Sequence, residues 1–375
     1  MTIHNISEKW KQEVKVGASG TLPTGDDSSI DASQSTWPGL KALIGKSVAG
    51  GQTFVEGVVS TYSLVYSGGS ASTGGVLAPN GDIHFVPYSG RGQKISATGV
   101  VSTYALVYTV STSHQGGVLA PNGDIHFVPY SAAVGQKISA AEVVSTYSLV
   151  YTTTTAYSGG VLAPNGDIHF IPLSAAVGQK ISATGVVSTY SLVYTSAAGA
   201  YSGAVLAPNG DIHFVPFSAN RGQKISAEGV VSTYSLVYTT ASAYAGGVLA
   251  PNGDIHFVPR GANRGQKISA EGVVSTYSLV YTASTAYNGG VLAPNGDIHF
   301  VPYSANGGQK ISAEGVVSTY SLVYTTTIAY SGGVLAPNGD IHFVPFNANR
   351  GQKISTLPAI PFDKSLCESP YLNKF

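Results

Sequence analysis

Hydrophobic and polar positions along this chain fall into short runs separated by turn residues, and the same four runs come back in the same order. GGVLA is followed by the corner PNG, then by DIHFVP, GQKIS and VVSTYSLVY. Runs of four to nine residues bounded by Gly, Pro, Asn and Ser read as strands. In Pro79-Asn80-Gly81 the proline presets φ, asparagine tolerates the second corner and glycine supplies a left-handed residue, so the first two strands form a tight hairpin. Ile83 and Phe85 alternate with His84 and Val86, so both faces of the second strand carry buriable groups. That strand belongs inside a sheet packed on two sides.

The repetition is the decisive feature. VLAPNGDIHF recurs with its histidine at His84, His126, His169, His213, His256, His299 and His342, a spacing of 42 to 44 residues. VVSTYSLVY or a one-residue variant begins at Val58, Val100, Val143, Val186, Val230, Val273 and Val316, and GQKIS closes each unit. Four strands in about 43 residues match a β-propeller blade, and seven units predict an all-β, seven-bladed propeller of four-stranded blades. A parallel β-helix is the competing architecture, but its coils are usually shorter. The phase of the repeat predicts how the ring closes. A VVSTYSLVY strand precedes the first GGVLA and none follows the last GQKIS, so Val58 to Tyr66 should complete, as outer strand, the blade that ends at Ser355.

The paired glycines, VLAPNG and the Ile-x-x-x-Pro strand resemble kelch-type or NHL-type β-propeller repeats, over residues 58–355. The resemblance implies the fold and not a chemistry, because propellers host hydrolases, lectins and scaffolds alike. The repeats are so alike that they imply recent duplication or deliberate design.

Composition narrows the field further. There are 19 basic and 19 acidic residues among 375, a net charge of zero, so neither nucleic acid nor an anionic membrane is an expected partner. One cysteine, Cys367, excludes an internal disulfide framework and a multi-cysteine zinc site. No apolar run has the length of a signal-peptide core or a membrane span, which predicts a cytoplasmically made product without membrane insertion.

The organisation expected is a non-repeat arm over residues 1–52, the propeller over 53–355 and an extended tail over 356–375. Ile6, Trp10 and Val14 recur every four residues, as in one stripe of a short helix. Trp10, Trp37 and Phe375 are the candidate anchors for a partner. The ending SPYLNKF is similar to the C-termini of virion structural proteins of marine tailed phages.

Asp82 and His84 share a strand face, a spacing with which a metal site could begin, but no third ligand repeats. The seven histidines are therefore expected to be structural, packed between blades and hydrogen bonded to Ser, Thr or Tyr of VVSTYSLVY. GLKALIGKS has five residues between its glycines where a phosphate loop has four, and is rejected. Almost every polar residue comes in seven copies, which argues against one asymmetric catalytic constellation, so no enzyme and no cofactor are expected. Variation among the repeats concentrates in the loops after the second and fourth strands, which share one face. Tyr157, Tyr201, Tyr244, Tyr287 and Tyr330 are the candidate contacts there. The expected role is a structural or attachment module of a phage-type virion, bound to other proteins of the particle. A lectin with up to seven inter-blade pockets, taking a host-surface glycan, is the alternative, and a designed propeller without function the third reading.

Overall fold

The computed structural model describes residues 57–356, which form twenty-eight strands and, among the described residues, no helix. The strands make seven four-stranded antiparallel sheets, each a blade of a β-propeller. In blade 1 they are Ser72–Leu77, Ile83–Pro87, Gly92–Ile95 and Val101–Tyr104, from the innermost to the outermost. Blades 2 to 6 begin at His114, Tyr157, Tyr201, Tyr244 and Tyr287. Blade 7 takes Tyr330–Leu335, Asp340–Pro345 and Arg350–Ser355 from one end of the repeat array and Val58–Ser63 from the other. The register runs from Val58 opposite Ser355 to Ser63 opposite Arg350, so the ring closes as the phase of the repeats predicts. The arm and tail with Trp10, Trp37 and Phe375 lie outside the described residues.

The apolar core lies between blades rather than within them. Val118 and Val128 of blade 2 pack on Tyr157, Ile168, Phe170 and Ile181 of blade 3, and the other junctions repeat the pattern. Both faces of each second strand are thereby covered, which is why IHFVP is buried at every position.

The outermost strand is shorter than the run VVSTYSLVY. In blade 2 the ladder covers Val144–Ser148 only. Beyond it, the amides of Val150 and Tyr151 leave the blade and donate to the Oε1 of Gln179 in blade 3, at 3.0 and 2.8 Å. The same two-pronged bond recurs at Gln93, Gln136, Gln223, Gln266, Gln309 and Gln352, all buried. A second belt is wholly backbone. The carbonyls of Tyr88, Tyr130, Leu173, Phe217, Arg260, Tyr303 and Phe346 each accept an amide from the following blade, and Phe346 closes the circle on Ala71.

Around the axis the innermost strands meet through glycine. Gly74, Gly116, Gly159, Gly203, Gly246, Gly289 and Gly332 all have φ between 78° and 87° and sit at a register shift in the innermost strand. A Cβ on any of them would lie 2.9 to 3.3 Å from the Cα of the next, Gly332 pointing back to Gly74. Only glycine combines that φ with that approach.

A paired substitution separates the two demands. Gly185 has φ +85° with nothing within 4 Å of a built Cβ, so Gly185→Ala should cost about 1–2 kcal/mol from the left-handed backbone alone. Gly159→Ala adds a Cβ at 3.0 Å from the Gly203 backbone and should cost at least about 1 kcal/mol more, read from urea midpoints. Equal losses would refute the close-packed ring.

Candidate functional site

Two surfaces gather polar or aromatic groups from several blades, one on each face of the ring. On the face of the PNG turns, Asp82 follows an asparagine whose Oδ1 accepts the Asp82 amide at 3.0 Å, a bond that fixes the corner. The Asp82 carboxylate then accepts from the Ala97 amide at 3.0 Å and from Lys94 Nζ at 2.9 Å, tying the first turn of the blade to its third. Burial alone would raise the Asp82 carboxyl. Lys94 and the Ala97 amide outweigh it and hold the pKa below the usual range. All seven repeat aspartates have such a lysine, at 2.5 to 2.9 Å.

Each repeat histidine lies beside this clasp at the junction of two blades, and its ring meets the outer-strand tyrosine of its own blade edge-on, at 5.4 to 5.5 Å. His126, His213, His256 and His342 bring Nδ1 within 3.2 to 3.4 Å of the hydroxyls of Tyr147, Tyr234, Tyr277 and Tyr62. In His84, His169 and His299 Nδ1 is enclosed without a partner. The tyrosine in turn covers a glycine of the third strand, as Tyr190 covers Gly178. Between blades 3 and 4 a cleft of about 210 Å³ is lined by Asn165, His169, Lys180, Tyr190, Ile225 and Glu228. Its Lys180 is engaged by Asp167 at 2.7 Å, and the Tyr190 hydroxyl is enclosed.

One junction departs from the pattern. Where five other turns have Gly99, Gly185, Gly229, Gly272 and Gly315 at positive φ, blade 2 has Glu142, at φ 62°. Its carboxylate reaches back to Asn80 at 3.1 Å and Lys94 at 2.6 Å of blade 1. Asp82, His84 and Glu142 thereby bring one ligand atom each to within 4.8 Å of one another. This is the third ligand that the repeat alone did not offer. Lys94 already bridges both carboxylates, so a cation would have to displace an ammonium, and the donor set fits an ion-pair clasp better than a metal centre.

The loop face is arranged differently. Tyr157, Tyr201, Tyr244, Tyr287 and Tyr330, expected there as contacts, are 0 % exposed. This corrects the expectation: each begins an innermost strand, packs against the second-strand Phe, and donates its hydroxyl to the carbonyl at the start of the third strand, at 3.1 Å. Blade 2 has His114 in that place, fully buried. Its Nδ1 pairs with Ser113 Oγ at 2.8 Å, Nε2 has no partner, and burial pushes its pKa down to about 4.

The residues that do reach the surface over the axis come one position after the second strand of each blade, IHFVP or, in blade 3, IHFIP. Tyr88, Tyr130, Leu173, Phe217, Arg260, Tyr303 and Phe346 are all half-buried. Tyr88 meets Tyr130 at 5.8 Å and Phe346 at 5.5 Å, and Phe346 meets Tyr303 at 6.1 Å. The Arg260 guanidinium lies 4.6 Å over Tyr303 and 5.5 Å from Phe217. Burial, and then Tyr130, push Tyr88 up to about 12, while Arg260 of blade 5 partly offsets the rise at Tyr130 of blade 2. Groups from opposite sides of the ring act on one another, as side chains converging on the axis must. Neither this rosette nor the glutamine belt was singled out from the sequence. The signal for the rosette was present, in a variable position directly after a strand that differs between repeats only at Ile171.

No family model and no curated protein matches the chain. Among solved structures, it is similar to a streptogramin B lyase at 20 % identity and a TM-score of 0.70, over 81 % of this chain and 99 % of that one. A virginiamycin B lyase from Staphylococcus aureus matches at 16 % identity and a TM-score of 0.70, over 80 % of this chain and 100 % of that one. The extracellular domain of a putative hybrid two-component system from B. thetaiotaomicron matches at 10 % identity and a TM-score of 0.60, over 78 % of this chain and 40 % of that one. These likenesses carry the seven-bladed fold, and give no particular support to a kelch or phage relationship. They also correct the expectation that the chain is not an enzyme. Two of these similar propellers are lyases, so the fold is no argument against catalysis. The argument from repetition treated the repeats as equivalent, whereas Glu142, His114 and the rosette make each face asymmetric.

Two predictions follow from the buried imidazoles. The eight described histidines all have pKa values below 6.5, with burial as the first cause. Between pH 6.5 and about 4 the unfolded chain therefore binds more protons than the folded one. Stability should be full above pH 6.5 and fall steadily toward pH 4, with a proton uptake on unfolding of more than one per chain; a flat melting temperature across that window would refute it. His114→Tyr restores the residue found at this place in blades 3 to 7 and a hydroxyl able to reach the third-strand carbonyl. It should stabilise by about 1–3 kcal/mol at pH 5, in chemical denaturation.

Proposed function

We propose that the protein binds a small organic ligand over the propeller axis on the loop face, with Tyr88, Tyr130, Leu173, Phe217, Arg260, Tyr303 and Phe346 as the receptor. One observation carries this reading: seven structurally equivalent positions hold four residue types, while the backbone beneath them is held uniformly. Each of these residues donates its amide to its own blade and accepts one from the next. The side chains are thus free to differ while their origins stay fixed, the arrangement a preorganised binding surface requires.

Half-exposed Tyr and Phe rings suit a ligand with a flat apolar face, and the C–H face of a sugar ring belongs to that class. The glycan-binding reading thereby moves from seven inter-blade pockets to one axial site. In the cleft between blades 3 and 4, Lys180 is held by Asp167, and His169 Nδ1 and the Tyr190 hydroxyl are enclosed, which leaves little to offer a ligand. Attachment to a particle rested on Trp10, Trp37 and Phe375, which lie outside the described residues, and no described feature favours it.

Fluorescence titration with the neutral probe N-phenylnaphthylamine tests the proposal. Binding of about one probe per chain is expected, weakened roughly tenfold by the pair Tyr88→Ala and Phe346→Ala. Val193→Ala, on the perimeter where Val193 is 59 % exposed, should leave it unchanged. Binding that ignores the pair, or that Val193→Ala weakens equally, would overturn the axial site.

A further inference from the structure

Arg260 is the one charged member of the rosette, in a position that six other blades fill with Tyr, Phe or Leu. An arginine here has to be held against its tendency to reach water, and the structure shows how. The guanidinium is stacked between Tyr303 and Phe217, and its Nε–H is enclosed with no hydrogen-bond acceptor. An enclosed donor without a partner costs on the order of 1–3 kcal/mol. Among the described residues no carboxylate pairs with Arg260, although every repeat lysine is paired with an aspartate. The contrast with Arg221, Arg264 and Arg350 is informative. Those lie over the outer tyrosines Tyr194, Tyr238 and Tyr324, and each begins a third strand as an exposed residue.

The other six members of the rosette are tyrosine, phenylalanine and leucine, and none carries a carboxylate. The axial mouth therefore carries one positive charge with no negative charge in the rosette to meet it, and that charge is already oriented by two rings. A planar guanidinium with fixed orientation matches a carboxylate, sulfate or phosphate, two of whose oxygens it can engage at once.

Resting on the axial reading above, we infer that the ligand is a small organic anion: its acidic group meets Arg260, and its apolar body lies on the aromatic rings of the neighbouring blades. The dispersion and stacking surface fixes where the ligand sits. The guanidinium selects among ligands of similar shape by charge. Screening by salt weakens such a contact less when the charge is half-buried than when it is exposed.

Two probes that share one ring system separate charge from shape: anilinonaphthalene sulfonate, an anion, and N-phenylnaphthylamine, its neutral counterpart. With the full chain, the sulfonate is expected to bind at about one per chain and roughly tenfold tighter than the neutral probe. Arg260→Tyr installs the residue that blades 1, 2 and 6 carry and should collapse the ratio of the two affinities to near unity, with melting temperature as the check on folding. Leu173→Arg places a second guanidinium on the same circle and should raise the ratio. An undiminished ratio in Arg260→Tyr overturns the inference, as does binding of several sulfonates per chain. If the wild-type chain binds the neutral probe but shows no preference for the sulfonate, the axial site stands and only the anion falls. If it binds neither, both fall.

Discussion

Seven glycines packed backbone to backbone around the axis set the geometry on which everything else is built. Each needs a positive φ, each sits at a bulge, and each leaves no room for a Cβ on the side of its neighbour. A bulge turns the innermost strand, and the same turn repeated at every blade brings the last innermost strand back against the first. Outward from that ring the demands relax. The second strands are buried on both faces, the third strands carry the glutamines that grip the preceding blade, and the outermost strands expose valines at the perimeter.

The belts joining the blades decide where function can reside. Backbone bonds between blades pass through the residue after IHFVP, and side-chain bonds pass through the buried glutamine. The glutamine cannot vary without losing two inter-blade bonds. The other position contributes only main chain to the joint, so its side chain is released from the repeat. Variation has accumulated there, over the axis, where side chains from six blades form a chain of ring and guanidinium contacts. On the opposite face the chemistry-bearing residues are engaged with one another, aspartate paired to lysine and each histidine ring packed edge-on against tyrosine, and serve the blade itself. Glu142 is the exception in sequence, yet its carboxylate also ends on a lysine.

The same contrast explains how much was legible beforehand. Blade number, strand order, the PNG hairpin and the closing outer strand are local or periodic properties, readable from spacing and phase. The histidine was expected at a blade junction, hydrogen bonded to Ser, Thr or Tyr of VVSTYSLVY; His126, His213, His256 and His342 make that bond with tyrosine, whereas in His84, His169 and His299 the ring meets the tyrosine edge-on and Nδ1 has no partner. The five tyrosines Tyr157, Tyr201, Tyr244, Tyr287 and Tyr330 were read as surface residues because they adjoin a variable loop. A loop boundary says nothing about depth, and a single step along the chain into the innermost strand took them from solvent to complete burial. Glu142 likewise looked like an ordinary substitution in a turn, since its partners Lys94 and Asn80 belong to another blade.

What the sequence determined by itself was therefore the repeating unit: period 42 to 44, four strands, a glycine-specified bulge and turn, and the cut point at which the ring is sealed. These follow from hydrogen-bonding and dihedral preferences that act within a few dozen residues. Which side chains meet across the axis was decided only by closure. Tyr88 and Phe346 are 258 positions apart in the chain and 5.5 Å apart in space. No periodicity encodes that contact, because it exists only once seven equal turns have returned the chain to its starting point.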